Sequence, residues 1–386
     1  MKYLLSSLLF CSIAVSAAPS TQEELCGTTN YDYNIHFGPQ RVQFATRDFY
    51  AFAVAVLLEE ELYFNLITKQ PRSFFENNNI SVIDVQRCDM EAGHGYGEPS
   101  DHEYSFYSME CALYDGGACL EKDAVFDTKQ KKSIISQDLR FSEFMSLYDE
   151  WHNRFDHHNY PVGYTRDKTP LGFITEKTEY FCDYLPCEYQ PGKKEISIDG
   201  DGYNTAHFSE AFQDAKNRVH FLNKVLTTKN CEKNRYQFAN RELVRMNFIG
   251  KKDNNNETKI KVIKDVFSQK RSAIVTFELP KNFIFGVEAS GELVFAAVVT
   301  GMRMNKTTGK CELYFRSPVK EFSGKPELLT GWHDAESILN KTVSIKYLKE
   351  VDPGNYENAK KAFQQTKKDI AKNYEQEKFY LHQNRW

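Results

Sequence analysis

The segment Ala51-Phe52-Ala53-Val54-Ala55-Val56-Leu57-Leu58 limits the fold more than any other feature of the chain. Its first two turns are apolar on every side, and a helix without a polar face must be buried all round. The Ala content and the continuation through Glu59-Glu60-Glu61-Leu62 favour a helix over a buried strand. Thr46 or Asp48 can cap it by accepting the amide hydrogens of the first turn. The segment therefore predicts a central buried helix.

The rest of the chain supplies what could surround it. Residues 19–42 read as irregular, punctuated by Gly27, Asn30, Gly38 and Pro39. Residues 89–104 read as loop and 105–113 as helix, ended by Gly116-Gly117. Residues 128–200 are polar, aromatic and interrupted by Pro, which predicts an insertion over a core. Phe208, Phe212, Ala215, Val219, Leu222 and Leu226 recur at three- and four-residue steps and predict one amphipathic helix. Val262, Ile263 and Val266 give a short helix. Strands are predicted over 273–277, 295–300 (ending at Gly301), 311–315 and 343–348, with hairpin-turn chemistry in Asn305-Lys306-Thr307-Thr308-Gly309. Beyond Pro353 comes one long polar helix with Ala359, Phe363, Ile370 and Tyr374 on one side. Helices first and strands second indicate an α+β fold.

Lys2, the apolar run from Tyr3 to Val15 and the small residues of Val15-Ser16-Ala17-Ala18 read as an export signal, too short to span a bilayer. Cys11 is not read as a lipidation site, because Phe10 before it is too large. No later stretch reaches the ~20 apolar residues of a transmembrane helix. Of nine cysteines, those after the leader are Cys26, Cys88, Cys111, Cys119, Cys182, Cys187, Cys231 and Cys311. In an oxidising compartment an even set reads as up to four disulfides, with the pairing left open. None has zinc-site spacing, so no metal or other cofactor is expected. Asp199-Gly200-Asp201-Gly202 lacks the remainder of a calcium loop and reads as a turn. Lys and Arg number 49 against 53 Asp and Glu, scattered rather than striped, which argues against nucleic acid as a partner.

Two stretches resemble the papain-type cysteine peptidases. In that family a Gln of the oxyanion hole precedes by six residues the nucleophilic Cys that opens a buried helix, followed by an aromatic residue, Ala and Phe. Here Gln43 stands six before Phe49, and Tyr50-Ala51-Phe52 follow. The family's second half has a His opening a strand that reaches Gly six residues on, then a hairpin, then Asn-Ser-Trp-Gly. Here Phe295 opens Ala296-Ala297-Val298-Val299-Thr300-Gly301, and Ser317 with Pro318, Val319 and Lys320 holds the last positions. Asp115-Gly116-Gly117-Ala118-Cys119-Leu120-Glu121 is similar to a Gly-x-Cys turn of many relatives. The resemblance covers roughly residues 40–66, 105–127 and 259–348.

The resemblance implies a two-lobed fold. It divides the chain into a signal peptide over 1–18, a helical lobe over 19–130, an insertion over 131–230, a β lobe over 231–350 and a polar C-terminal helix over 351–386. It also implies lost catalysis. Cysteine peptidases need a thiolate, an imidazole to carry the proton and an Asn to orient the ring. Phe49, Phe295 and Ser317 can do none of these things. The expectation is an exported pseudo-peptidase binding a peptide, protein or envelope polymer, with Phe49 and Phe295 forming an apolar cleft floor flanked by Tyr50 and Gln43. The alternatives are a hydrolase using other residues, such as Asp48, or a structural and surface-interaction protein. The sequence sets no oligomeric state. His94, His102, His152, His157, His158 and His333 lie in polar segments and are expected on the surface.

Overall fold

The computed structural model describes residues 26, 30–32, 49–66, 79–91, 107–124, 135–155, 169–187, 201–248, 255–279, 293–317 and 330–383. Its architecture is a mixture of helices and one antiparallel sheet, the α+β class expected.

The apolar segment is indeed a helix, α1 (Phe49–Leu66). Ala51 to Ala55, Leu57 and Leu58 are all buried. The helix packs against α2 (Val82–Glu91), α3 (Tyr107–Tyr114) and two strands of the sheet. Thr46 and Asp48, the expected caps, lie outside the described residues.

The sheet is built from β1 (Tyr31–Asp32), β2 (Arg241–Asn247), β3 (Ala273–Leu279), β4 (Leu293–Asn305), β5 (Lys310–Arg316), β6 (Gly331–Asp334) and β7 (Thr342–Glu350). Its order is β2-β7-β3-β4-β5-β6, with β1 added along the second half of β4. The predicted strand over 295–300 does not end at Gly301. It continues to Asn305, with an irregularity between Val299 and Gly301 where β4 meets β5. Glycine is required there by close approach: a Cβ on Gly301 would come within 2.9 Å of both the Trp332 ring and the Tyr31 carbonyl oxygen. Alternate β3 and β4 residues, Phe277 and Phe295 among them, fill the sheet face away from α1.

Residues 128–200, expected as an insertion over a core, are mostly helical where they are described. Helices α4 (Ile135–Phe155) and α5 (Pro170–Cys182) precede α6 (Thr205–Asp214), α7 (Arg218–Leu226) and α8 (Lys229–Lys233). The amphipathic run over 208–226, predicted as one helix, is two. Ala215 turns extended at φ −67°, ψ 134°. Asn217 then starts α7 as an N-cap, its Oδ1 accepting the His220 amide hydrogen at 2.8 Å. Asn satisfies first-turn donors better than it continues a helix, so the apolar period carries across a break. Aromatic rings fuse α4 to α7 into one layer: Phe144 lies 5.0 Å from Phe181, Phe181 4.6 Å from Phe208, and Phe212 4.6 Å from Phe221.

After the sheet begins, α9 (Asn256–Ser268) and α10 (Ala335–Leu339) intervene, and α11 (Pro353–Gln383) ends the described chain. The start of α11 docks on α3. The Tyr356 hydroxyl donates to the Leu113 carbonyl at 2.8 Å, and Phe363 packs on Tyr107 at 5.2 Å.

Cysteines are oxidised as expected for the described pairs. Cys26–Cys311 ties the N-terminal region to β5, Cys119–Cys231 ties the turn after α3 to α8, and Cys182–Cys187 closes the end of α5. Cys111 is disulfide-bonded as well. The first two close loops of more than a hundred residues. Chain-entropy reasoning assigns such links roughly 5–6 kcal/mol each.

Candidate functional site

Two regions compete for the functional site: the positions that the resemblance equates with catalysis, and a polar groove among α6, α7 and α8.

At the first, Phe49 opens α1, while Gln43 and the Phe49 side chain lie outside what is described. Tyr50 is buried, and its hydroxyl accepts a hydrogen bond from Lys346 Nζ at 3.0 Å. The same ammonium nitrogen stands 4.5 Å from the centroid of the Tyr50 ring. Lys346 is itself buried on β7, and burial pushes its amine well below the usual lysine range.

Phe295 is fully buried and stacked on Phe277, with centroids 6.0 Å apart. Pairing fixes its direction. Phe295 stands opposite Phe277, whereas Lys346 stands opposite Ile274. Successive strand residues point to opposite faces, so Phe295 and Lys346 are on different sides of the sheet. Tyr50 meets the Lys346 side. Tyr50 and Phe295 therefore do not share a surface, and Phe295 is core; the Phe49 side chain and Gln43, the other members of the expected cleft, lie outside what is described. Ser317 is buried just after β5. Its amide donates to Thr330 Oγ1 at 3.0 Å, and its carbonyl accepts from that hydroxyl at 3.2 Å.

The turn after α3 is held from within. Gly117 has φ +84°, and a Cβ there would sit 2.0 Å from the Tyr236 carbonyl oxygen. Ala118 and Tyr236 exchange backbone hydrogen bonds at 3.1 and 2.9 Å. Beneath, Arg87 donates to the carbonyls of Gly117, Asp84 and Asp115. Asp84 receives the Cys119 amide at 2.9 Å and a bidentate Arg235. Asp84, Cys119 and Cys231 are near enough to suggest a metal site. Both sulfurs are instead consumed in their disulfide, and the carboxylate is taken by Arg235.

The second region was not foreseen from the sequence. A groove of about 230 Å³ is lined by Arg87 and Arg235, by His207 and Glu210 of α6, by His220, Asn223 and Lys224 of α7, and by Lys229 and Glu232 of α8. Its charges are matched: Lys229 pairs with Glu210 at 2.7 Å, Lys224 with Asp214 at 3.8 Å, and Arg235 with Asp84. His207 sits at its inner wall with Nε2 3.1 Å from the Val225 carbonyl oxygen. Burial pushes its imidazole down to about 4, so it is neutral and donates through Nε2 at physiological pH. The polar members of α6 and α7 recur on the face opposite the predicted apolar stripe, which is the signal that was available.

Of the other histidines, His152 and His333 are partly buried rather than on the surface, ringed by Tyr148 at 4.0 Å and Phe315 at 5.6 Å respectively. Asp201 accepts from Lys233 in an exposed ion pair, in keeping with a turn. Among the described residues no helix is long and apolar enough to cross a membrane. A scan against protein-family models finds no match, and a search of curated proteins finds none either. The function has to be argued from the site's own chemistry.

Proposed function

We propose that this is an exported protein of papain-like, two-lobed fold that no longer cleaves peptides and acts by binding a peptide or protein segment. The observation that carries the reading is Phe295, fully buried against Phe277 at the position where the resemblance requires a proton-carrying imidazole. A ring in that place has no proton to transfer, and it has become part of the sheet's packing. Oxidised cysteines at every described pair support an exported, thiol-free protein.

Binding is assigned to the groove over α6–α8 rather than to the former cleft. Its walls present both signs of charge together with the Asn223 amide and the Thr227 hydroxyl. A polar peptide segment carries the same mixture, and its charges can exchange with Lys229–Glu210 and Lys224–Asp214 at the rim. Exposed pairs of this kind contribute little to stability, ~0–1 kcal/mol, so exchanging them costs the fold little.

The test uses the oxidised mature protein and a random-sequence peptide library. Selective retention of charged peptides without cleavage, lost in Lys229→Glu, is the expected result. Turnover of any library peptide by the wild type would replace this reading with the hydrolase alternative.

A further inference from the structure

Three consecutive acidic residues leave α1 in three directions, because successive helical residues are about 100° apart. Each ends on a different part of the chain. Glu59 Oε1 accepts the Ile80 amide hydrogen at 3.1 Å, just ahead of α2. Glu60 accepts the Ser272 amide at 2.9 Å on one oxygen and the Ser272 hydroxyl at 2.8 Å on the other, immediately before β3. Glu61 pairs with Arg241 of β2 at 2.6 Å and with Arg271 at 2.9 Å. All three side chains are buried, at 4, 2 and 1% exposure. Glu60 and Glu61 thus fasten the central helix to the sheet.

The charges in this seam are unevenly matched. Glu61 has two guanidinium groups, whereas Glu60 is held by the neutral amide and hydroxyl of Ser272. The charged groups acting on Glu60 are Arg271, on the segment leading into β3, and Glu61 on its own helix; Arg241 of β2 is paired with Glu61, and Glu59 turns to the Ile80 amide. Burial outweighs the hydrogen bonds from Ser272 and the attraction of Arg271, and pushes the Glu60 carboxyl up to about 7.

We propose that the seam between α1 and the sheet is a proton-operated latch, tightest in acidic surroundings when Glu60 is protonated and loosened when it ionises. A protonated Glu60 keeps both bonds: one oxygen still accepts the Ser272 amide, and the acid proton is donated to the Ser272 hydroxyl. An ionised Glu60 keeps the same two donors but adds a buried negative charge beside Glu61.

The direction follows from linkage. The folded carboxyl holds its proton more tightly than the unfolded one, which has the ordinary value of 4.5. Below about 4.5 both states are protonated and above about 7 neither is, so the folding equilibrium weakens as pH rises between them. The change is on the order of a hundredfold. Lys346, at the other end of α1, titrates in the opposite sense, since burial lowers its amine. The test must therefore isolate Glu60.

Urea unfolding of the full oxidised chain and of Glu60→Gln, from pH 4.5 to pH 8, does so. Gln preserves an acceptor for the Ser272 amide and a donor for its hydroxyl but cannot ionise. The ratio of the two unfolding constants should change on the order of a hundredfold across the range, the wild type losing ground as pH rises. Parallel curves would overturn the proposal. If Glu60→Gln does not fold, Ser272→Ala serves instead. It removes a hydroxyl that favours the ionised form, so the pH midpoint of the wild type's stability loss should move upward, and an unmoved midpoint would overturn the proposal equally.

Discussion

The aromatic layer of α4–α7 and the seam beneath α1 are both buried, yet they are held by different forces. In the layer, rings at centroid separations near 5 Å do the packing, as with Phe212 against both Trp151 and Phe221. In the seam, carboxylates, guanidinium groups and one lysine cross between helix and sheet. The two regions also respond to protons in opposite senses. His207 in the layer is held neutral, with its imidazole lowered to about 4, so the layer weakens as pH falls from about 6.5 through 4. Glu60 makes the seam weaken as pH rises toward 7. The layer takes charge only at its edge, as with Arg154 and Lys177 over the Phe173 ring, while the seam is stable only while its buried charges stay matched.

The comparison breaks most readily at the largest contacts. Phe212→Ala should cost about 3–5 kcal/mol in urea unfolding, by loss of transfer energy and by the cavity it leaves. That cost should be the same at pH 5 and pH 8; a strong pH dependence would deny that the layer is held by packing. Arg241→Met should cost ~3 kcal/mol, because Glu61 keeps Arg271 but loses a buried partner. An increase in stability would mean that the pair is dispensable and the seam is apolar in effect.

His207→Gln sharpens the acid side. A buried base with a lowered folded value contributes stability that is lost as pH falls, so the wild type should lose roughly 2–3 kcal/mol between pH 7 and pH 4 relative to the variant. Gln retains a donor for the Val225 carbonyl oxygen, and the comparison is read from paired unfolding curves. The smallest effect is expected from Tyr50→Phe. It removes only the acceptor of the Lys346 hydrogen bond and should cost about 1 kcal/mol. A cost several times larger would place Tyr50 at the centre of the seam rather than at its end.

The seam was half legible in the sequence. An apolar stretch with no polar face demanded a central helix, and α1 is that helix. The same reading used Glu59-Glu60-Glu61 only as a continuation of that helix and assigned the three carboxylates no place, since carboxylates are seldom buried without partners. The partners of Glu60 and Glu61, namely Arg241, Arg271 and Ser272, lie about two hundred residues away, beyond the reach of any local pattern. The layer was the reverse case. Thr169-Pro170 is a helix start, the Thr169 hydroxyl accepting the Gly172 amide at 3.1 Å. Phe141, Phe144, Tyr148, Trp151 and Phe155 keep a helical period, but interspersed charges masked it. Strands β3, β4, β5 and β7 were found from alternation and turn chemistry, whereas β1, β2 and β6 were not foreseen. That Phe295 is core and not cleft floor was not legible, because which face a strand residue occupies depends on register, and register comes from pairing with Phe277.

The central claim, that Phe295 is core and not part of an open cleft, is tested most directly by the stability of Phe295→His. A buried Phe stacked on Phe277 should not accept an imidazole without loss. Urea unfolding at pH 8, where an unperturbed imidazole is neutral, should show a decrease of roughly 2–4 kcal/mol from lost packing and a buried polar ring. A variant as stable as the wild type would mean that residue 295 faces an open cleft, and would contradict the account.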